Sequence, residues 1–446
     1  MKRLRSLFFV YSLIFSHAVA QEPWTVQQCM QYAVEHNHEV RRAELELDNY
    51  KAGRTSAIGR FLPEVDAGIG AQYNFGRAID PETNGYTDVS TFYNGYSLSA
   101  SLPLFDGFSR LHALKAAKAS VLMGRMALRQ QQDQTALGVL QAFTNAAYCE
   151  GLVKMAEEKV EETKLLLRQT RILEEVGRKS AADVAQVESQ QAEADYELTR
   201  QQSLLASALL ELKKEMGYPI SEELRVEDLE LRGKGKDSAA IGPSLDREAV
   251  ANASLSPLHS SLELSRYQMQ ASKHEWRQAR ASLSPALSLS AGLSTTYYHT
   301  LHTESAASFG SQFRNNMGEY VGATLSIPLF NRLQTVTNIR RAKNNYQIAR
   351  ENYMQKQLEL EKLSREAWQD WQGYGKQAVQ MEKKVEADSL AYQLTRRQFE
   401  EGLSTAIDLH TTSAQLLQSK ATLLQCRLMA MVKQELVRYY NGEQIW

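Results

Sequence analysis

Four short segments of the chain alternate apolar residues with small polar ones at a period of two, which is typical of a strand with two different faces. The clearest is about residues 92–105, where apolar side chains at 96, 98, 100, 102 and 104 alternate with serines at 97, 99 and 101. The other three are about residues 65–76, 286–298 and 318–330. Each has roughly the 10 residues that a tilted strand needs to cross a bilayer. A soluble antiparallel sheet packed on a helix would show the same alternation, so the pattern alone leaves both structures open.

Two much longer segments have the composition of helices. From Phe108 to about Glu174, and again from about Leu333 to Glu400, the sequence is rich in Ala, Leu, Gln, Glu and Lys and contains no proline. A continuous helix of about 65 residues spans about 100 Å at 1.5 Å per residue. That length predicts coiled-coil helices rather than the helices of a globular core.

The two halves of the chain repeat one another at an offset of 225 residues. Ser-Leu-Pro-Leu-Phe-Asp at 101–106 recurs as Ser-Ile-Pro-Leu-Phe-Asn at 326–331. We interpret this motif as the passage from a strand to a long helix, and its marker residues are Pro103, Phe105, Pro328 and Phe330. The repeat predicts two units of one plan, 21–235 and 236–446, each with helices and two strands.

Each long helix is followed by a glycine turn and a new helix start. Glycine readily adopts the left-handed conformation that ends a helix, and a hydroxyl three residues before an acid forms a capping box. Capping alone is sufficient to account for these residues. The functional alternative is a tip where another protein docks and where acids ring an opening. The residues are Gly177, Ser180 and Asp183 in the first turn, and Gly402, Thr405 and Asp408 in the second.

Residues 1–20 predict a signal peptide, because three basic residues precede an apolar stretch at 7–15 and Ala-Val-Ala at 18–20. The apolar stretch is shorter than the about 20 residues of a membrane-spanning helix. Export would place the mature chain, from residue 21, outside the cytoplasm. The cysteines add little, because the three are far apart in helical context and we expect them to be buried and unpaired.

Charge and motifs exclude several classes of function. The chain has 51 Lys and Arg against 52 Asp and Glu, so no overall basic field attracts nucleic acid. The histidine pairs at 36 and 38 and at 299 and 302 lack a third ligand at a matching spacing, so we expect no metal and no other cofactor. Neither a phosphate-binding glycine loop nor a hydrolase or metalloprotease motif is present, and we expect no enzyme activity.

A sheet of four strands cannot stand alone in a bilayer, because each unpaired backbone group at its two edges costs several kcal/mol. Other copies of the chain must therefore close it. Two, three or four copies would supply 8, 12 or 16 strands, and a conducting lumen favours three or more. The polar connections at 76–91 and 299–317 are then expected to be loops that face the cell exterior.

The duplicated hexapeptide and the duplicated glycine turns, together with the start of the mature chain at Trp24-Thr25-Val26, resemble the TolC family of outer-membrane efflux proteins. The resemblance covers essentially the whole mature chain. It implies a mainly helical homotrimer in which a 12-stranded outer-membrane β-barrel continues into a long periplasmic α-barrel. It also implies a periplasmic adaptor protein that docks at the tip turns, with Gly177, Ser180, Gly402 and Thr405 as candidates, and an inner-membrane pump behind it.

The resemblance further implies a gate at the periplasmic end, where Asp408 matches the position of an acidic ring. Some relatives carry a second acid where this chain has Thr411, and an arginine where it has Ser404. The gate candidates are therefore Asp408, Asp183, Arg396 and Arg397, together with Arg178.

The function that these observations predict is a passive exit duct of a tripartite efflux pump, carrying drugs or toxic small molecules from periplasm to exterior. One alternative is an exit duct for type I protein secretion. An alternative of a different class is a periplasmic coiled-coil adaptor or stalk that has no pore.

Overall fold

The computed structural model describes residues 23–79, 85–88, 90–227, 259–301 and 307–446. The segment predicted as a signal peptide lies outside these residues. The helices are α1 Val26–His36, α2 His38–Gly59, α3 Ser109–Glu175, α4 Ala181–Met216, α5 Ser260–Ala281, α6 Phe309–Asn315, α7 Gln334–Glu400 and α8 Ala406–Tyr440. The strands are β1 Glu64–Asn74, β2 Arg77–Ile79, β3 Tyr86–Asp88, β4 Thr91–Phe105, β5 Ala286–Thr300 and β6 Gly318–Ser326.

Four of the strands form one antiparallel sheet in the order β1-β4-β5-β6, which confirms the predicted four strands in one chain. Ile69 of β1 pairs with Tyr96 of β4, and Leu98 of β4 pairs with Leu293 of β5. Apolar positions of neighbouring strands thus lie beside one another, as the alternation predicts. Among the described residues, β1 and β6 each pair with a strand on one side only.

The last strand is shorter than its alternation suggests. We expected it at about 318–330, but β6 ends at Ser326, so Pro328 and Phe330 lie beyond the sheet. Proline has no N–H to donate to a strand ladder. In the first repeat, a register shift after Pro103 lets β4 continue to Phe105.

The two connections expected to be loops contain short elements. Residues 77–79 and 86–88 form a two-stranded hairpin, and α6 forms within 299–317. This helix folds back onto β5, where Gln312 exchanges hydrogen bonds of 2.9 Å with the backbone of Tyr298. The ring of Phe313 also packs edge-to-face on Tyr96 at 5.4 Å. The sheet therefore orders a segment whose own sequence is loop-like.

The long helices form two antiparallel hairpins, one in each repeat, in which α3 pairs with α4 and α7 with α8. Both α3 and α7 contain 67 residues, which corresponds to about 100 Å. A buried core near their middle includes Met30 of α1, Leu140 and Phe143 of α3, Leu212 of α4 and Tyr439 of α8. Residues from both repeats thus share this core.

The two residues before each long helix adopt the left-handed conformation. The φ angle is 65° at Gly107 and 69° at Phe108, and 56° at Arg332 and 66° at Leu333. These pairs are equivalent under the 225-residue repeat. A non-glycine residue in this conformation costs roughly 1–2 kcal/mol, so both repeats retain an unfavourable backbone where a strand turns into a helix.

Polar contacts hold the first of these junctions. The backbone N–H and the Nε of Arg110 each donate to Oδ2 of Asp106 at 3.0 Å. An Nη of Arg110 donates to the carbonyl of Arg60 at 3.2 Å, and its guanidinium lies 5.3 Å from the ring centre of Phe61. The start of α3 is thereby attached to the end of α2.

The described helices include none with the length and hydropathy needed to cross a membrane. Their three cysteines, Cys29, Cys149 and Cys426, are buried and not in disulfides, as expected. Burial raises the pKa of each of these thiols, which keeps them protonated at neutral pH.

Candidate functional site

The glycine turns lie at the ends of α3 and α7 farthest from the sheet and share one backbone geometry. Gly177 has φ 73° and Gly402 has φ 82°. The N–H of Arg178 donates to the carbonyl of Leu173 at 2.8 Å, and the N–H of Gly177 to Glu174 at 2.8 Å. This pair of bonds is the Schellman motif, in which a left-handed residue satisfies the last carbonyls of a helix. The bonds from Leu403 and Gly402 repeat it in the second turn.

A capping box begins the next helix in both repeats. Asp183 Oδ2 accepts from the backbone N–H of Ser180 at 3.0 Å, while its own N–H donates to Ser180 Oγ at 3.2 Å. Asp408 Oδ2 accepts from the N–H of Thr405 at 3.1 Å, and its N–H donates to Thr405 Oγ1 at 3.2 Å. The four residues satisfy donors that a helix start would otherwise leave unpaired.

Hydrogen bonds also set the charge of the two acids. Those from the backbone and hydroxyl of Ser180 lower the pKa of Asp183 below its ordinary value. Those from the hydroxyl and backbone of Thr405, with a further one from Ser404, lower the pKa of Asp408. Both carboxyls are therefore ionised at neutral pH.

The two turns pack against each other through a small apolar core. Its buried members are Leu166, Val187, Phe399, Ala406 and Leu409. Polar groups reinforce this contact between the repeats. The Nζ of Lys179 lies 3.9 Å from the ring centre of Phe399, and Nε2 of Gln190 donates to the carbonyl of Ala406 at 3.2 Å. The structure thus brings the two sequence-predicted turns together into one surface, which we call the double tip.

The outer side of the double tip is exposed and partly apolar. Leu403 is 75% exposed, and Val176 and Ile407 are also exposed. Apart from its neighbours in sequence, no described residue has a heavy atom within 4 Å of the position that a Cβ would take at Gly177 or at Gly402. The positive φ angle, and not a lack of space, therefore explains why these residues are glycines. The space beside each of them is large enough for another molecule to approach the backbone.

The arginines proposed for the gate do not lie beside its acids within one chain. Arg396 forms an ion pair with Glu400 at 3.3 Å. Arg397 is exposed on the same helix, and within the described residues of one chain the side-chain hydrogen bonds of Asp408 are with Thr405 and Ser404. Within the described residues of one chain, Asp408 and these two arginines therefore do not form an ion pair with each other.

Sequence reasoning also missed a polar contact between the long helices of the two repeats. The Nζ of Lys159 on α3 donates to Oγ of Ser413 on α8 at 2.5 Å. Its repeat equivalent, Lys384, donates to Oγ of Ser419 at 2.6 Å. The signal in the sequence was the lysine itself, because it occurs at the same position of both repeats, as Lys159 and as Lys384.

Comparison with known families covers both repeats. The model of the outer membrane efflux protein family matches residues 29–218 and 258–438. The chain belongs to this family. One matched segment lies within each of the units 21–235 and 236–446, and membership confirms the predicted outer-membrane localisation.

Solved structures show the same fold as this efflux protein. The structure of CusC has 17% identity and a TM-score of 0.79, with 94% of this chain and 92% of that chain covered. VceC from Vibrio cholerae has 14% identity and a TM-score of 0.78, with coverage of 94% and 97%. The Campylobacter jejuni CmeC outer membrane channel has 15% identity and a TM-score of 0.77, with coverage of 94% and 85%. The sequence has no significant match among curated proteins.

Titratable residues of the efflux protein show no arrangement for metal chemistry in the described ranges. No three of its His, Cys, Asp or Glu residues lie close enough there to hold a metal ion. The family is one of efflux proteins rather than enzymes. The double tip offers hydrogen-bonded carboxylates, exposed apolar side chains and open backbone, which suit recognition of another protein more than catalysis.

Proposed function

We propose that the protein is the trimeric outer-membrane exit duct of a tripartite efflux pump and conducts small molecules passively. The observation that carries this proposal is the four-stranded sheet in which, among the described residues, β1 and β6 each pair on one side only. In a bilayer these edges need partners, because water is absent to satisfy their N–H and C=O groups. Three copies joined edge to edge would give 12 strands, enough to enclose a lumen.

The helices support a duct that extends into the periplasm. The long helices of both repeats continue from the same side of the sheet for about 100 Å. Their three-fold assembly would form a helical tube in line with the strands. The side of the sheet rich in serine and glycine would line the lumen, and cargo selection would then belong to the pump.

The double tip is the surface that we assign to a periplasmic adaptor protein. Gly177, Ser180, Gly402 and Thr405 define its two turns, and exposed Leu403 adds an apolar contact. An adaptor can approach the backbone closely at the two glycines, because no side chain covers them. The inner-membrane pump would act through this adaptor rather than by direct contact.

Asp408 is the residue that we place at the periplasmic opening. It is exposed and ionised, so three copies around the axis of a trimer would present three carboxylates. Asp183 forms the equivalent capping box at the other turn but is less exposed. Arg396 and Arg397 remain candidates for contacts with a neighbouring copy.

Planar-bilayer recording of the protein purified from outer membrane in detergent, with its mass measured in parallel, tests this function. Discrete channels from a trimer would support the duct. A water-soluble species without conductance would contradict it and favour a stalk. Deletion of the gene followed by drug-susceptibility and secretion assays then separates small-molecule efflux from type I secretion.

A further inference from the structure

An arginine lies in each of the four passages between the four-stranded sheet and the helices α2, α3, α5 and α7. Arg60 lies four residues before β1, and Arg110 lies five residues after β4. Arg280 lies six residues before β5, and Arg332 lies six residues after β6. None of the four is the repeat equivalent of another, since they are not 225 residues apart. The duplication therefore does not account for their common position.

The arginines belong to a wider concentration of positive charge at this level of the molecule. Segments 51–63, 106–120, 273–285 and 331–345 flank the sheet and together contain 13 Lys and Arg but only two Asp and Glu. The whole chain is balanced, with 51 basic and 52 acidic residues. We call these four segments the basic collar.

Most cations of the basic collar lack an acidic partner. Lys51 pairs with Asp48, and Arg110 pairs with Asp106. Within the described ranges of the chain, the other collar cations have no carboxylate within 4.0 Å. They are Arg54, Arg60, Lys115, Lys118, Lys273, Arg277, Arg280, Arg332, Arg340, Arg341 and Lys343. Farther along the helices, ion pairs between residues one turn apart are frequent, such as Arg365 with Glu361.

The pKa of two histidines inside the basic collar is affected by its positive charges. His112 of α3 and His274 of α5 lie with their ring centres 5.8 Å apart. Burial lowers the pKa of both, and the charges of Arg277 and Lys115 lower it further. Arg277 of α5 and Lys115 of α3 are thus close enough to act on the same two side chains.

Exposed apolar side chains accompany the cations. Each strand–helix passage presents at least one of them, and Leu329 is 91% exposed. The others are Phe61, Leu62, Phe105, Phe108, Leu283, Phe330 and Leu333. Cations beside exposed aromatic and leucine side chains are typical of surfaces that sit at the boundary between lipid headgroups and acyl chains.

We propose that the basic collar binds the phosphate groups of anionic phospholipids in the leaflet that faces the long helices. The inference rests on the proposed function, because it takes the sheet as the membrane-spanning part. The four strand–helix passages then lie at the headgroups, where charges act over about 10 Å at moderate salt. Its cations would meet lipid phosphates while the apolar side chains enter the acyl region. The lipid phosphates would then be the anionic partners of those collar cations that have no carboxylate partner among the described residues.

A triple variant with Arg60→Gln, Arg280→Gln and Arg332→Gln tests this proposal in the full chain. The matched control, Arg168→Gln, Lys376→Gln and Lys383→Gln, removes three exposed cations from α3 and α7 far from the sheet. Each protein is incorporated from detergent into vesicles of phosphatidylethanolamine with phosphatidylglycerol. Native mass spectrometry then gives the ratio of the two lipids that remain bound.

We expect wild type and control to retain phosphatidylglycerol preferentially and the triple variant to lose this preference by about fivefold for each cation removed. The same preference in the triple variant as in wild type would overturn the proposal. If the triple variant does not fold, the same lipid ratio is measured for wild type at increasing salt concentration. Salt screens charges, so a preference for phosphatidylglycerol that salt does not weaken would also overturn the proposal. Channel recording on the same vesicles is a separate readout, and its failure would instead contradict the proposed duct.

Discussion

Lys159 donates a hydrogen bond from its Nζ to the Oγ of Ser413 at 2.5 Å and so joins α3 of the first repeat to α8 of the second. Ser413 is 3% exposed, and the same Nζ lies 3.0 Å from a carboxylate oxygen of Glu162. The equivalent Lys384 instead bonds Ser419 within its own repeat. One duplicated lysine thus holds two hairpins together, while the other holds the two helices of one hairpin.

We therefore predict that Ser413→Ala weakens the contact between the hairpins. Removal of one partner from a buried hydrogen bond costs about 1–3 kcal/mol, so the thermal midpoint of the trimer should fall. If channel opening separates the hairpins, the open-channel frequency in planar bilayers should also rise. Ser419→Ala is the matched control, because it removes a buried hydroxyl from the same helix but within one hairpin. Equal channel activity in the two variants would contradict a role of the inter-hairpin contact in opening.

Gly107 offers a test of the junction between sheet and helix. An alanine Cβ there would lie 2.5 Å from Cβ of Ser284 and 2.7 Å from the carbonyl oxygen of Ala281, at a φ of 65°. Left-handed strain of about 1–2 kcal/mol and overpacking of about 1–3 kcal/mol both oppose Gly107→Ala. We expect the free energy of unfolding of Gly107→Ala, measured in denaturant, to be lower than that of wild type by about 2–5 kcal/mol. In Gly53→Ala, where the Cβ meets open space in a helix, stability should instead rise by about 0.5–1 kcal/mol.

Local patterns were sufficient to predict most elements of this fold. Period-two alternation identified four strands, and length without proline identified the two 67-residue helices. The predicted end of the last strand was wrong, because the alternation of side chains does not show which residues can donate a backbone N–H. Pro328 has no N–H to donate to the sheet. The helix α6 was missed because Gln312 and Phe313 are ordered by contacts with the sheet rather than by their neighbours in sequence.

In the double tip, too, features set by neighbouring residues in sequence were predictable and those set by tertiary contacts were not. Its glycine turns and capping boxes were predictable because each is complete within seven or fewer residues of sequence. The contact of Lys179 with Phe399 could not be predicted, since it depends on how two hairpins from different repeats pack. Roles that need neighbouring copies, such as that of Asp408 in a ring, depend on assembly and remain predictions.

The histidine pair in the basic collar predicts a dependence of stability on pH. The pKa of His112 and of His274 is lowered, first by burial and then by Arg277 and Lys115. The unfolded chain therefore binds more protons than the folded one near the ordinary histidine pKa of about 6.5. The stabilising effect of the neutral pair is complete above that pH and is lost as the pH falls through the folded values.

We expect the thermal midpoint of wild type to fall as the pH decreases from about 7 to about 5. In the double variant His112→Gln and His274→Gln, this decrease should be smaller, because neither side chain can take up a proton. His410→Gln, at a histidine of α8 near the tip, is the control for replacing a histidine outside the basic collar. Identical slopes in the double variant and wild type would contradict the assignment.

Gly402 provides a test of the docking surface that leaves the fold intact. Asparagine tolerates positive φ, and the site has open space, so Gly402→Asn should cost about 1 kcal/mol or less. Its side chain would nevertheless cover the backbone where we place the adaptor. We expect reduced adaptor cross-linking and lower drug resistance in cells. Gly76→Asn is a control with a positive φ and open space beside the sheet, and resistance reduced equally by both variants would argue against docking at the tip.

Asp408 gives the test of the periplasmic opening. Asp408→Asn removes the negative charge while keeping an oxygen that can accept the hydrogen bonds of Thr405. If three copies ring the pore, this variant should raise single-channel conductance and weaken block by multivalent cations, as should Asp408→Ala. Asp183→Asn is the matched control, since Asp183 occupies the same capping geometry at the other turn.

The pH dependence of cation block makes the test of Asp408 more specific. Hydrogen bonds from Thr405 lower the pKa of this carboxyl, so it stays ionised as the pH falls toward the ordinary aspartate value of about 4. Block in wild type should therefore persist to that pH and disappear below it, as protonation removes the charges from the ring. In Asp408→Asn, block should be weak at every pH. Block that is unchanged by the substitution would leave Asp408 as a helix cap and place the constriction elsewhere in the tube.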